Sequence, residues 1–269
     1  MSQFKDMLSQ LKPYSLGIVV IDKPETSDVI QVFPSEQLPF AEGDLSKNKR
    51  MQISASWIRI GDSNRFTSPD VYKGETVQIY RYANTEEYFW SDIMREPSLR
   101  KKERVIYAIS NVPGKGGVQT LDKSYYLEMS TKDKRVHLHT ADNDGELCTY
   151  DVVLDTVKGN LTILDGMGNI ITLDSKPGNL NIKLNGSLYG DIEKNINLKC
   201  TDANIKTSGK ANLEAGSDVN VKSGTVINLN APVIRTDKLE VNGSISCTAD
   251  INVGGDSNVS GVSRASSHV

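Results

Sequence analysis

The chain has 269 residues, of which 38% are hydrophobic and 24% charged, with a net charge of −3. The length allows about two domains, and the hydrophobic share falls below the roughly 45–50% of ordinary globular chains, a reference that also counts glycine. No apolar run reaches the roughly 20 residues of a membrane-spanning helix. Residues 1–110 carry 15 basic against 15 acidic side chains, which excludes the basic excess of a nucleic-acid binder.

The opening MSQFKDMLSQL lacks the basic and then apolar stretches of a secretory signal. Residues 2–12 are expected to form a short amphipathic helix with Phe4, Met7, Leu8 and Leu11 on one face. Too short to stand alone, it reads as an N-terminal arm over residues 1–13.

Residues 14–110 have the texture of a small β domain. LGIVVID (16–22), DVIQVFP (28–34), MQISASWIRI (51–60), TVQIYRYA (76–83), EYFWSDI (87–93) and RVIYAIS (104–110) are short apolar runs between polar turns. Five or six strands in so short a stretch predict a small barrel, of which the OB-fold is the commonest at that size. The aromatic groups Tyr80/Tyr82 and Tyr88/Phe89/Trp90 are read as barrel core and hairpin pairs rather than a base-stacking platform, because the domain has no net charge. Arg100, Lys101, Lys102 and Arg104 read as a solvated loop, or as a docking edge for a neighbouring protein.

NVPGKGGV (111–118) is a linker; without a Lys-Ser/Thr pair it is not a phosphate loop. Residues 119–178 then predict an antiparallel meander of short strands joined by Gly/Asp/Asn turns, with DGMGN (165–169) as a hairpin signal. His137 and His139 stand two apart in RVHLHTA, so in a strand both side chains lie on one face. A trimer could gather six such imidazoles around a metal on its axis. Alternatively Val136 and Leu138 fill a dry core and the two histidines face outward.

From Asn179 to the C-terminus the composition changes. Asn204, Asn212, Asn220 and Asn228 recur every eight residues, each followed by an apolar residue: Ile205, Leu213, Val221 and Leu229. Apolar and polar residues alternate within each block, and Gly209, Gly216 and Gly224 mark the bends. Eight residues suit one strand and one bend, whereas a single-chain solenoid stacks turns of roughly 20 or more. Only Tyr189 among the aromatic residues lies beyond Tyr150, so one strand per repeat buries too little to fold alone. Several identical chains sharing one slim core solve that problem, with Ile205, Leu213, Val221 and Leu229 facing the common axis. After Pro232 the repeat changes register, as in VNG (241–243), and the side chains become small.

A small barrel, a meander, an octad shaft and a tapering Ser/Gly-rich end, in that order, resemble the central spike of contractile-tail bacteriophage baseplates. The valine-glycine repeat spike of type VI secretion systems shares this plan. The likeness is strongest at KGETVQIYRYANTEEYFW (73–90), LTILDGMGNIITLDS (161–175) and the octads to Asn230. The resemblance implies an all-β homotrimer: an OB-fold collar, a meander, then an intertwined triple-stranded β-helix over 179–269 that pierces the host outer membrane when the sheath contracts. It implies baseplate hub and tail-tube partners at the collar, and location in the virion after assembly in the host cytoplasm. Some such spikes carry a lysozyme domain between collar and shaft, for which NVPGKGGV leaves no room. Simple spikes often end in a His-x-His that holds an iron; here GVSRASSHV offers His268 alone. The resemblance therefore implies a separate cone protein of the PAAR type on the tip, and no cofactor beyond a metal ion at that tip.

Cys148, Cys200 and Cys247 are odd in number and far apart, which gives neither a disulfide framework nor a zinc pattern, as expected of assembly in a reducing cytoplasm. No catalytic residues are assigned: acidic residues are plentiful, and neither Ser/His/Asp nor Cys/His chemistry has a histidine in a predicted pocket. Two other classes stay open, a single-chain β-solenoid that binds or degrades surface polysaccharide and an OB-fold nucleic-acid binder.

Overall fold

β-Branched and aromatic residues in runs of five to nine, cut by Gly, Pro and Asp, fold here into strands and little else. A computed structural model describes residues 9–41, 43–60, 64–94, 98–99, 102–110, 120–249, 251–256 and 260. Phe4, Met7, Leu8 and the linker 111–118 lie outside the described residues. Leu11, expected on a helix, already belongs to the first strand, where it pairs with Tyr82.

Five strands close a ring: β1 (Leu11–Val19), β2 (Val29–Pro34), β3 (Ile53–Trp57), β4 (Thr76–Tyr82) and β5 (Tyr88–Asp92). Their order is β1-β2-β3-β5-β4, with β4 returning to β1. β3 and β5 run parallel and every other pair antiparallel. The alternate residues that point inward make the core: Val19, Ile30, Val32, Ala55, Val71, Val77, Ile79 and Trp90. Trp90 is fully buried, and its indole N–H donates to the Asp28 carbonyl at 2.9 Å. Tyr80 pairs with Phe89 across β4 and β5, and Tyr88 meets Tyr14 edge-on at 5.4 Å. Trp90 thus fills the ring, and Tyr14, Trp57 and Tyr88 pack against its core.

β1 passes close over β4 because position 17 has no side chain. A Cβ on Gly17 would sit 2.5 Å from Ile79 Cδ1 and 3.2 Å from Val32 Cβ. Gly17→Ala should therefore overpack the ring and lower its stability by about 1–3 kcal/mol. Urea unfolding followed by tryptophan fluorescence should show a lower midpoint.

The second sheet has seven antiparallel strands in chain order: β6 (Arg104–Ser110), β7 (Ser124–Ser130), β8 (Arg135–His139), β9 (Tyr150–Asp155), β10 (Asn160–Asp165), β11 (Ile170–Asp174) and β12 (Asn179–Lys183). RVIYAIS, expected with the barrel, is the first strand of this sheet, and NLNIK at the head of the expected shaft is its last. Three turns share one chemistry: Asp155, Asp165 and Asp174 open them, and Gly159, Gly168 and Gly178, at φ of 71°, 85° and 73°, close them ahead of an Asn. Asp165 Oδ1 accepts from the backbone N–H of Met167 and Asn169 at 2.9 and 3.0 Å, as the hairpin signal in DGMGN requires. The ring and this sheet are joined by polar contacts. Arg65 meets Glu103 at 2.6 Å, Lys132 meets Asp70 at 3.2 Å, and the Arg104 N–H donates to Asp70 Oδ2 at 3.1 Å.

Beyond β12 the described residues form no strand pairing and no backbone–backbone hydrogen bond. Bends nonetheless recur every seven to eight residues, at Asn185–Gly186, Glu193–Lys194, Thr201, Ser208–Gly209, Gly216–Ser217, Gly224–Thr225 and Pro232. After Pro232 the spacing shortens to five or six, with bends at Asp237, Asn242–Gly243, Thr248–Ala249 and Gly254–Gly255. By its contacts the chain divides into two units, Met1–Asn195 and Ile196–Val269. No helix among the described residues is long and apolar enough to cross a membrane.

Candidate functional site

Strand alternation gives the seven-stranded sheet two chemically different faces. The register of its pairs lines up one apolar row of Tyr107, Leu127, Leu138, Val152, Ile163, Ile171 and Ile182. Beside it runs a second, of Val105, Met129, Val136, Leu154, Leu161, Leu173 and Leu180. Ile109 opposite Tyr125 extends the patch. Every strand contributes to both rows, and most of these side chains are more than one third exposed. A hollow of about 520 Å³ lined in part by Val105, Met129, Val136 and Leu154 opens on this face. A contiguous apolar surface spanning a whole sheet is larger than soluble chains usually leave in water.

The opposite face is polar and better covered. Ile106 and Ala108 of β6 are buried there, and the segment at Asn64–Phe66 bonds to the β6 backbone. Glu128 on β7 is 1% exposed. Its carboxylate accepts from Arg104 Nε at 2.7 Å and from Arg135 at 2.9 and 3.1 Å. Arg104, expected in a solvated loop, is thus a strand residue that neutralises a buried acid. The bonds to Glu128 lead the causes that raise Arg135 above its ordinary pKa, against the opposing effect of burial. Glu128→Ala should cost about 2 kcal/mol, since both arginines reach solvent and hydrogen bonds to charged groups contribute roughly 1.5–3 kcal/mol. Amide exchange in β7 and β8 should then accelerate by about 30-fold.

On the same face, β8 and β9 bring His137 and His139 to Asp151. The register pairs His139 with Asp151, and His137 with Val153. His137 Nε2 lies 2.5 Å and His139 Nδ1 2.7 Å from the same oxygen, Asp151 Oδ1. Burial works to raise the Asp151 pKa, but the bonds from His139 and His137 outweigh it and hold the carboxyl below its usual range. An ionised Asp151 has no proton to give, so both imidazoles donate. Tyr126 of β7 packs against both rings, stacked on His139 at 4.8 Å and edge-on to His137 at 5.1 Å, and its hydroxyl is 3.1 Å from His137 Nδ1. The side chains of His137, His139 and Asp151 are 17%, 13% and 16% exposed, covered by their neighbours on this face. The histidines do lie opposite Val136 and Leu138, as the strand period requires, yet they are half-buried. Asp151 and Tyr126 were absent from the sequence reading, because only the β7-β8-β9 register places them beside the His-x-His.

The octad residues Ile205, Leu213, Val221 and Leu229 are 89%, 79%, 68% and 70% exposed in the single chain. Every described residue from Asn179 onward is exposed. His268 lies outside the described residues, so the tip metal expectation has no geometry here. Comparison with protein-family models gives no match for this chain, and no curated protein matches it.

Proposed function

We propose that this chain is one protomer of a homotrimeric baseplate spike from a contractile tail, which pierces the host outer membrane on sheath contraction. One observation carries the reading: beyond β12 the described residues bend at regular intervals while making no backbone pairing and leaving their apolar side chains in water. Fixing a residue's backbone costs roughly 1–2 kcal/mol, and nothing within this single chain offsets that cost over the octads. Two further copies would supply both the missing strand partners and the cover for Ile205, Leu213, Val221 and Leu229, as in a triple-stranded β-helix. The apolar face of the second sheet calls for the same partners.

The ring order β1-β2-β3-β5-β4 with parallel closure supports an OB-fold collar, which in this reading seats the spike on the hub and tail tube. The polar joint of Arg65, Glu103, Asp70 and Lys132 would carry load from collar to sheet. A PAAR-type cone would cap the C-terminal end, and nucleic acid is not a partner. A single-chain polysaccharide-binding solenoid needs rung-to-rung pairing, and the described octads make none. A type VI secretion spike shares the architecture and differs in the particle that carries it.

Electron microscopy of the purified protein should show a rod with one globular end. Contractile particles isolated from producing cells should bind an antibody to this chain at the tube end remote from the head. Irregular monomers, or contractile particles free of the chain, would overturn the reading.

A further inference from the structure

We propose that His137, His139 and Asp151 bind one divalent first-row transition-metal ion, of the Zn²⁺ class, in each chain. The site stands apart from any tip metal and does not rest on the trimer reading. One ligand atom from each of the three residues can be chosen so that all lie within 4.8 Å of one another. Two ring nitrogens already converge on a single carboxylate oxygen, at 2.5 and 2.7 Å. To admit an ion the two ring nitrogens and the carboxylate oxygen must move apart from these hydrogen-bonded separations, so that each sits roughly 2.0–2.2 Å from the metal.

The surroundings favour an ion over a plain hydrogen-bonded triad. Tyr126 fixes both rings from outside the ligand set, the role that outer partners of metal-binding histidines play. Glu128, the strand neighbour of His137 on β7, is taken up by Arg104 and Arg135 and leaves the ligand set at three. Two imidazoles and one carboxylate suit zinc, cobalt, nickel or iron and exclude magnesium and calcium, which take oxygen ligands. Starting from neutral imidazoles, binding releases no net proton. Each imidazole moves its proton to the nitrogen remote from the ion, and Tyr126 turns from donor to acceptor toward His137 Nδ1.

Metal-stripped full-length protein dialysed against Zn²⁺ should take up one ion per chain, and a large excess of Mg²⁺ should not displace it. Replacing both histidines, His137→Gln with His139→Gln, should weaken binding more than about 100-fold, and Tyr126→Phe by about 10- to 100-fold. Asp151→Asn keeps an oxygen that accepts from both rings, so it should preserve the fold while losing most of the affinity. His268→Gln should bind as the wild type does. Co²⁺ should give the ligand-field bands of a nitrogen and oxygen site with no thiolate charge transfer. No stoichiometric uptake by the wild type overturns the site, as does uptake unchanged in the double variant, lost only in His268→Gln, or accompanied by a thiolate band from Cys148, Cys200 or Cys247.

Discussion

Leu213→Asp should abolish assembly of the C-terminal half while the ring stays folded. In the proposed spike three copies of this residue meet on the axis, where no water solvates a carboxylate. An uncompensated buried charge costs roughly 3–5 kcal/mol, and here each chain contributes one beside two of the same sign. The single chain leaves Leu213 79% exposed, so a monomeric protein should tolerate the change within about 0.5 kcal/mol. Size-exclusion with light scattering separates the outcomes: a monomer with buried-tryptophan fluorescence from Trp90 supports the axial register, and an intact trimer contradicts it.

Leu138→Asp asks the same of the second sheet. Leu138 is an interior member of the first apolar row, between Leu127 and Val152, and is 49% exposed in the single chain. If partner copies cover the row, Asp there should cost about 3–5 kcal/mol per chain and shift the trimer toward monomer. If the row faces water, Asp should raise solubility and leave stability nearly unchanged. Thr162→Asp, on the opposite face of the same sheet, is the control and should leave the mass unchanged.

The ring strands were legible because each is a short apolar run closed by a turn residue, and alternation alone places Val77, Ile79 and Trp90 inside. The sheet boundary was not. RVIYAIS has the texture of the barrel strands before it, and only long-range pairing with SYYLEMS assigns β6 to the second sheet. The recurring Asp and Gly-Asn of the meander turns were readable as turn chemistry, but their near-decade repeat as a unit went unread. The polar cluster was half legible. His-x-His fixes two side chains on one face, whereas Asp151 arrives through a register set by the loop between β8 and β9, which no local pattern encodes. Glu128 with Arg104 was hidden for the same reason. The octad period, in contrast, appears directly as bends, because a repeat of Asn, an apolar residue and Gly is a local signal.

Sedimentation equilibrium on the full-length protein tests the account most directly. A mass of three times the 29.6 kDa chain, held at concentrations far below micromolar, is the expected result. A folded species of one chain mass, with the octads protected from amide exchange, would contradict it.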